Sequence, residues 1–147
     1  MLPLIVLVGS FATFLGIGAL GVGALTDWVF SLRLALAVMF LLTASAHWGK
    51  RRADLIRMVP SSFPRPALLV TVTGLLELAG AVGLLVPALA RWAALGLSLM
   101  LVAMFPANVH AARAHLSIGG RPVTGLVVRS LMQLVFLGAT AAVVVAA

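Results

Sequence analysis

The chain has 147 residues, 63% of them hydrophobic and only 9% charged. A soluble domain carries about 25% charged residues, so the composition excludes an ordinary water-soluble globule and leaves lipid as the solvent; the length suits a single domain. The formal charge of +7 would suit nucleic acid, but most basic residues sit in short segments between apolar runs, so nucleic-acid binding is set aside, and the absence of cysteine excludes thiolate chemistry.

A hydrocarbon core of about 30 Å takes roughly 20 residues of helix, and five stretches approach that length: Leu2 to Leu25, Val29 to Trp48, Pro66 to Ala90, Trp92 to Ala112 and Val123 to Ala147. Each is predicted to be helical, because lipid offers a spanning backbone no other partners. The first stretch lacks a basic leader and a clear cleavage site and is expected to be a retained helix. The segments 49–66 and 113–122 fall on one face and carry Lys50, Arg51, Arg52, Arg57, Arg65, Arg113 and Arg121; the opposite face carries Arg33 and Arg91. This asymmetry predicts a cytoplasmic basic face, a cytoplasmic N-terminus and an external C-terminus. Trp28, Trp48 and Trp92 fall at predicted span ends, where indoles favour the headgroup region. In the 49–66 segment, Leu55, Ile56 and Val59 suit one side of a short interfacial helix whose other side turns Arg52 and Arg57 toward anionic lipid.

The run Gly16-Ile17-Gly18-Ala19-Leu20-Gly21 is a literal GxGxxG, but it lies inside an apolar stretch with no strand before it. Small residues that let helices approach are the better reading, and they suit homo-oligomers as well as internal packing. His110 and His115 point in different directions on a helix, and no metal site is expected. The informative residues are the polar ones inside the spans. Glu77 lies near the middle of the third stretch, where a carboxylate must find a partner. Thr73 lies one turn before it, Thr43 and His47 are one turn apart near the end of the second, and Asn108 follows Pro106 at the end of the fourth. Arg129 and Gln133 are one turn apart in the fifth. Two readings stay open: a structural Glu77–Arg129 pair that fixes helix register, or a polar ligand pocket opening toward the inner leaflet.

Three segments in order, from His47 through MVPSSFPRP, TGLLELAGAVGLLVP and MFPANVHAA, resemble the DoxX-like family of small bacterial membrane proteins over roughly residues 30 to 147. The resemblance implies an all-α fold with a four-helix core at 27–147 and an additional N-terminal span at 1–26. It implies functional positions at His47, Glu77, the Phe105-Pro106-Ala107-Asn108 run, Arg129 and Gln133, and a place in a bacterial inner membrane. The extra span and Trp48 depart from the family pattern. The family's association with thiosulfate:quinone oxidoreduction suggests a quinone as the one cofactor to look for, and membrane lipids and a soluble redox enzyme as partners. The expected function is a membrane subunit, not a stand-alone enzyme, that binds a lipid or quinone-like ligand through Glu77, Arg129, Gln133, Asn108, His47, Thr73 and Thr43. The alternatives are a proton-coupled transporter and a membrane enzyme using Glu77 and His47 as acid–base groups.

Overall fold

Several helices begin where a residue removes or replaces a backbone hydrogen bond. In the computed structural model, which describes residues 1–146, the helices are α1 (Leu2–Ala19), α2 (Trp28–Ser45), α3 (Arg52–Met58), α4 (Pro66–Leu85), α5 (Pro87–Arg113) and α6 (Leu126–Ala146). All but α3 are long and apolar enough to cross a membrane.

Several boundaries differ from the sequence expectation. The first stretch ends as a helix at Ala19; the chain turns at Gly21 and makes a 3-10 turn over Gly23–Thr26. Asp27 then starts α2, its Oδ1 accepting from the Val29 amide at 2.8 Å, a carboxylate cap that satisfies one of the free first-turn donors. The third stretch stops at Leu85, not Ala90, because Val86 precedes Pro87 and is extended (φ −91°, ψ 116°). The proline ring disfavours a helical residue before it and is itself suited to a first helical position. A single residue thus joins α4 to α5. The fourth stretch runs through Pro106 as α5, which continues to Arg113, so that Asn108, placed at the end of the stretch, lies inside the helix.

The helix α2 is central. It packs on α1, α4 and α6, while α5 packs on α4 and α6, so α2, α4, α5 and α6 close a ring with α1 laid outside it against α2. The core is built from Leu36, Met39 and Phe40 of α2, Leu84 of α4, Leu97 of α5 and Val143 of α6, with Leu7 reaching in from α1. Outward-facing positions are also apolar, including Ile5, Leu75, Leu99, Val127 and Leu134. Water would not accept so continuous an apolar exterior, and hydrocarbon does.

The GxGxxG run does not bring helices together: Gly16 and Gly21 face open space, and Gly18 lies against the backbone of Leu25 as the chain turns back. Helix approach occurs instead at Gly83, where an added Cβ would stand 2.7 Å from the Ala93 Cβ of α5.

The short helix expected in the 49–66 segment is α3, but its basic side is not turned to lipid as a whole. Arg52 points inward and bridges α2 to α4: it donates to the His47 carbonyl at 2.8 Å, the Thr71 hydroxyl at 2.9 Å and the Ala67 carbonyl at 3.1 Å. A feature absent from the sequence reading covers α3 from the other side. Strands β1 (Ser117–Ile118) and β2 (Arg121–Pro122) form a small hairpin, and Gly119 and Gly120 at its tip both have positive φ, as a tight two-residue turn requires. The Gly119 amide donates to Asp54 Oδ2 at 2.7 Å, and this bond, with the neighbouring Arg57, holds the Asp54 carboxyl below its usual range.

Gly83→Ala should lower thermal stability in detergent by about 1–3 kcal/mol, since neither backbone nor Ala93 can move aside cheaply. Gly96→Ala, where nothing lies within 4 Å, should be neutral or stabilising by up to about 1 kcal/mol. Thermal unfolding of both variants side by side checks the pair.

Candidate functional site

The polar residues expected to converge form two separate groups. The first lies between α2 and α4. Because α2 ends at Ser45, His47 leaves the helix in a turn and folds back against α4, where Gly74 makes room for it: a Cβ there would fall 2.6 Å from the His47 Cβ. This turn overcomes the difference in depth that a straight helix would impose between His47 and Glu77. The His47 Nδ1 comes within 3.8 Å of Glu77 Oε2, with both residues only 4% exposed. The same Nδ1 lies 3.1 Å from the Thr43 carbonyl. A carbonyl can only accept, so Nδ1 carries the proton and Nε2 is the basic nitrogen of the neutral ring. The Thr43 side chain also neighbours the Glu77 carboxyl. Glu77 Oε2 nevertheless has no hydrogen-bond partner, which is costly for a buried carboxyl. Thr73 does not join the group; its hydroxyl donates back to Leu69 and Val70 of its own helix.

The second group links α5 to α6. Arg129 donates through one Nη to Asn108 Oδ1 at 3.0 Å, and Gln133 donates to the Leu101 carbonyl at 2.6 Å, in the turn of α5 that Pro106 disturbs. The N–H that proline lacks would have met the Val102 carbonyl, one residue beyond the Leu101 carbonyl to which Gln133 donates from the neighbouring helix. The Glu77–Arg129 ion pair entertained from sequence is not made: Arg129 is engaged with Asn108, its Nε has no partner, and Glu77 faces His47.

Sequence reasoning passed over three further arrangements. Arg33, near the start of the second stretch, was counted only as a charge of the opposite face, but it is 9% exposed within α2, donates through Nε to the Leu84 carbonyl at 2.8 Å and lies over the Phe30 ring. A guanidinium at the last carbonyls of α4 also complements the helix dipole. Arg52 clamps the junction beneath His47, and nothing in its local sequence separates it from Arg51. Ser98 of α5 donates to the Thr140 hydroxyl of α6 at 2.7 Å; the signal for that pair was only that both are hydroxyls inside apolar spans.

Fold and site together define an all-helical bundle with five helices long and apolar enough to cross a membrane and an unsatisfied buried carboxyl beside a histidine. Residues 36–146 match a family described as a domain of unknown function (DUF8561), and the chain belongs to that family. The match begins inside α2 and leaves α1 outside it. No curated protein and no solved structure was found to match the chain.

Burial lowers the pKa of His47 below 6.5, and the nearby Arg52 charge adds to the effect against the Thr43 and Ala44 carbonyls. Below pH 6.5 the unfolded chain therefore binds protons that the folded histidine resists, so stability rises with pH through this window. The wild-type protein should lose thermal stability as pH falls from about 6.5, and His47→Gln should remove that part of the decline. Separately, a double-mutant cycle of Arg129→Met and Asn108→Ala should give a coupling of about 1.5–3 kcal/mol, as for a hydrogen bond to a charged group. A coupling near zero would mean that Arg129 does not hold α6 to α5.

Proposed function

We propose that this chain is a multi-pass protein of a bacterial inner membrane, akin to the DoxX-like family, that binds a membrane-dissolved ligand with a polar head at the His47–Glu77 group. The supporting observation is Glu77 Oε2, buried, 3.8 Å from His47 Nδ1 and without a hydrogen-bond donor. A ligand that presents a hydroxyl to this oxygen, or a carbonyl to a protonated carboxyl, would satisfy it; a lipid or a quinone-like molecule has that chemistry on an apolar body. The apolar exterior gives such a ligand a route through the bilayer. In this reading Glu77 binds the head, Thr43 and His47 orient the carboxyl, and Arg129, Asn108 and Gln133 hold α5 to α6. The basic segments at 49–66 and 113–122 lie in the cytoplasm by the positive-inside bias.

A second reading takes His47 and Glu77 as acid–base groups acting on a membrane-dissolved substrate, and it gains from their proximity. The transport alternative finds less support, because α5 passes through Pro106 without a break.

Purified protein titrated with a short-chain quinone and, separately, with phosphatidylcholine should be thermally stabilised by one of them, and Glu77→Gln should lose that stabilisation while its unliganded melting changes little. If neither ligand shifts the melting temperature of the wild-type protein, the binding reading is wrong. Turnover of an added substrate that vanishes in both His47→Gln and Glu77→Gln would favour the acid–base reading.

A further inference from the structure

A second site lies at the rim of the bundle, away from His47 and Glu77. The start of α1 and the end of α2 run side by side and leave a notch of about 280 Å³, walled by Leu2, Leu42 and Ala46 and roofed by Lys50 and Arg51. The chain turns sharply after α2, at 46–51, and this turn brings the two basic residues back over the gap between the helices. Ser45 contributes no free donor, since its hydroxyl donates to the Leu42 carbonyl at 2.6 Å.

The charge of Lys50 and Arg51 is not neutralised within the fold. Neither has an ion-pair partner among the described residues, and the nearest acidic residue in the sequence, Asp54, is already engaged by Arg57 and the Gly119 amide. Arg52, the next residue, is turned inward onto His47 and Thr71 and is not available. The hairpin tip lies beside Arg51, whose Nε would be 3.6 Å from a Cβ on Gly119. Trp48 is exposed at the same level, as indoles are at the border between hydrocarbon and headgroups.

We infer that this notch binds one anionic phospholipid, its phosphate between Lys50 and Arg51 and an acyl chain along Leu2 and Leu42 between α1 and α2. Two cations over an apolar cleft at the bilayer border match a phosphate joined to a hydrocarbon tail, and they match neither a zwitterionic head nor a free anion as well. The lipid would act as a wedge that fixes α1 against α2. This inference rests on the membrane placement proposed above, but not on ligand binding at Glu77, so Glu77→Gln should leave it unaffected.

Native mass spectrometry of the full chain, titrated with phosphatidylglycerol and with phosphatidylcholine, provides the test. The wild-type protein should retain phosphatidylglycerol in preference, with one tight copy. Lys50→Gln/Arg51→Gln should weaken that copy about thirtyfold, the effect of two basic groups near a membrane surface. Arg113→Gln/Arg121→Gln, which removes the same charge elsewhere on this face, should weaken it less than about threefold. Leu42→Trp, which fills the notch and keeps both charges, should also displace the tight copy. Equal losses in the two double variants would overturn the site in favour of diffuse surface charge. Equal retention of phosphatidylcholine, or undiminished binding in Leu42→Trp, would overturn it as well. Full competition by inorganic phosphate at matched concentration would assign the notch to a free anion.

Discussion

A backbone carbonyl at the end of a helix buried in an apolar bundle has no water to turn to, and the organisation of this protein depends on how such groups are satisfied. Arginines do most of this. Arg33 reaches from α2 to the last turn of α4, and Arg52 reaches from α3 to the carbonyl of His47 and the first turns of α4. Gln133 does the same for the disturbed turn of α5. Each bond runs between elements, and at Leu84 and His47 it also completes the end of a helix. The apolar contacts supply the cohesion of the core, but they are non-directional. The charge-assisted bonds set which turn of one helix faces which turn of the next.

Three buried side-chain atoms among the described residues are left out of this scheme, on Arg33, Glu77 and Arg129. Arg129 donates through one Nη to Asn108, Ser98 donates to Thr140, and the Thr73 hydroxyl returns to its own helix, while Arg129 Nε and one Nη of Arg33 find no partner. Glu77 is held in place by its surroundings, yet Oε2 lacks a donor, and the nearest candidate, His47 Nδ1, is committed to the Thr43 carbonyl. Among the three buried polar atoms without a partner, Glu77 Oε2 is the one acceptor, and it lies beside a histidine.

Much of this was legible in the sequence because hydropathy acts along the chain. The five apolar stretches, the short helix in the 49–66 segment and the location of the polar residues within spans all follow from runs and spacings. Partnership did not follow. Glu77 and Arg129 are opposite charges inside two spans, so their pairing was one of the two open readings; the turn after Ser45 brings His47 to Glu77 instead, and Asn108 takes Arg129. The hairpin at 117–122 escaped notice because two-residue strands have no periodicity to detect, and only the adjacent Gly119 and Gly120 signalled it.

Composition, charge and apolar run length by themselves determined that this is an all-helical chain with five stretches suited to hydrocarbon, since burial of apolar surface and internal hydrogen bonding are properties of each segment alone. Only the tertiary structure decided which helices are neighbours, that Arg33 and Arg52 bridge elements from inside the fold, and that His47 and Glu77 lie side by side. The reason is that a side chain's direction and partner depend on where a helix stops. Here single residues decided those stops: Asp27 as a cap, Pro87 as a start, and the turn that follows Ser45.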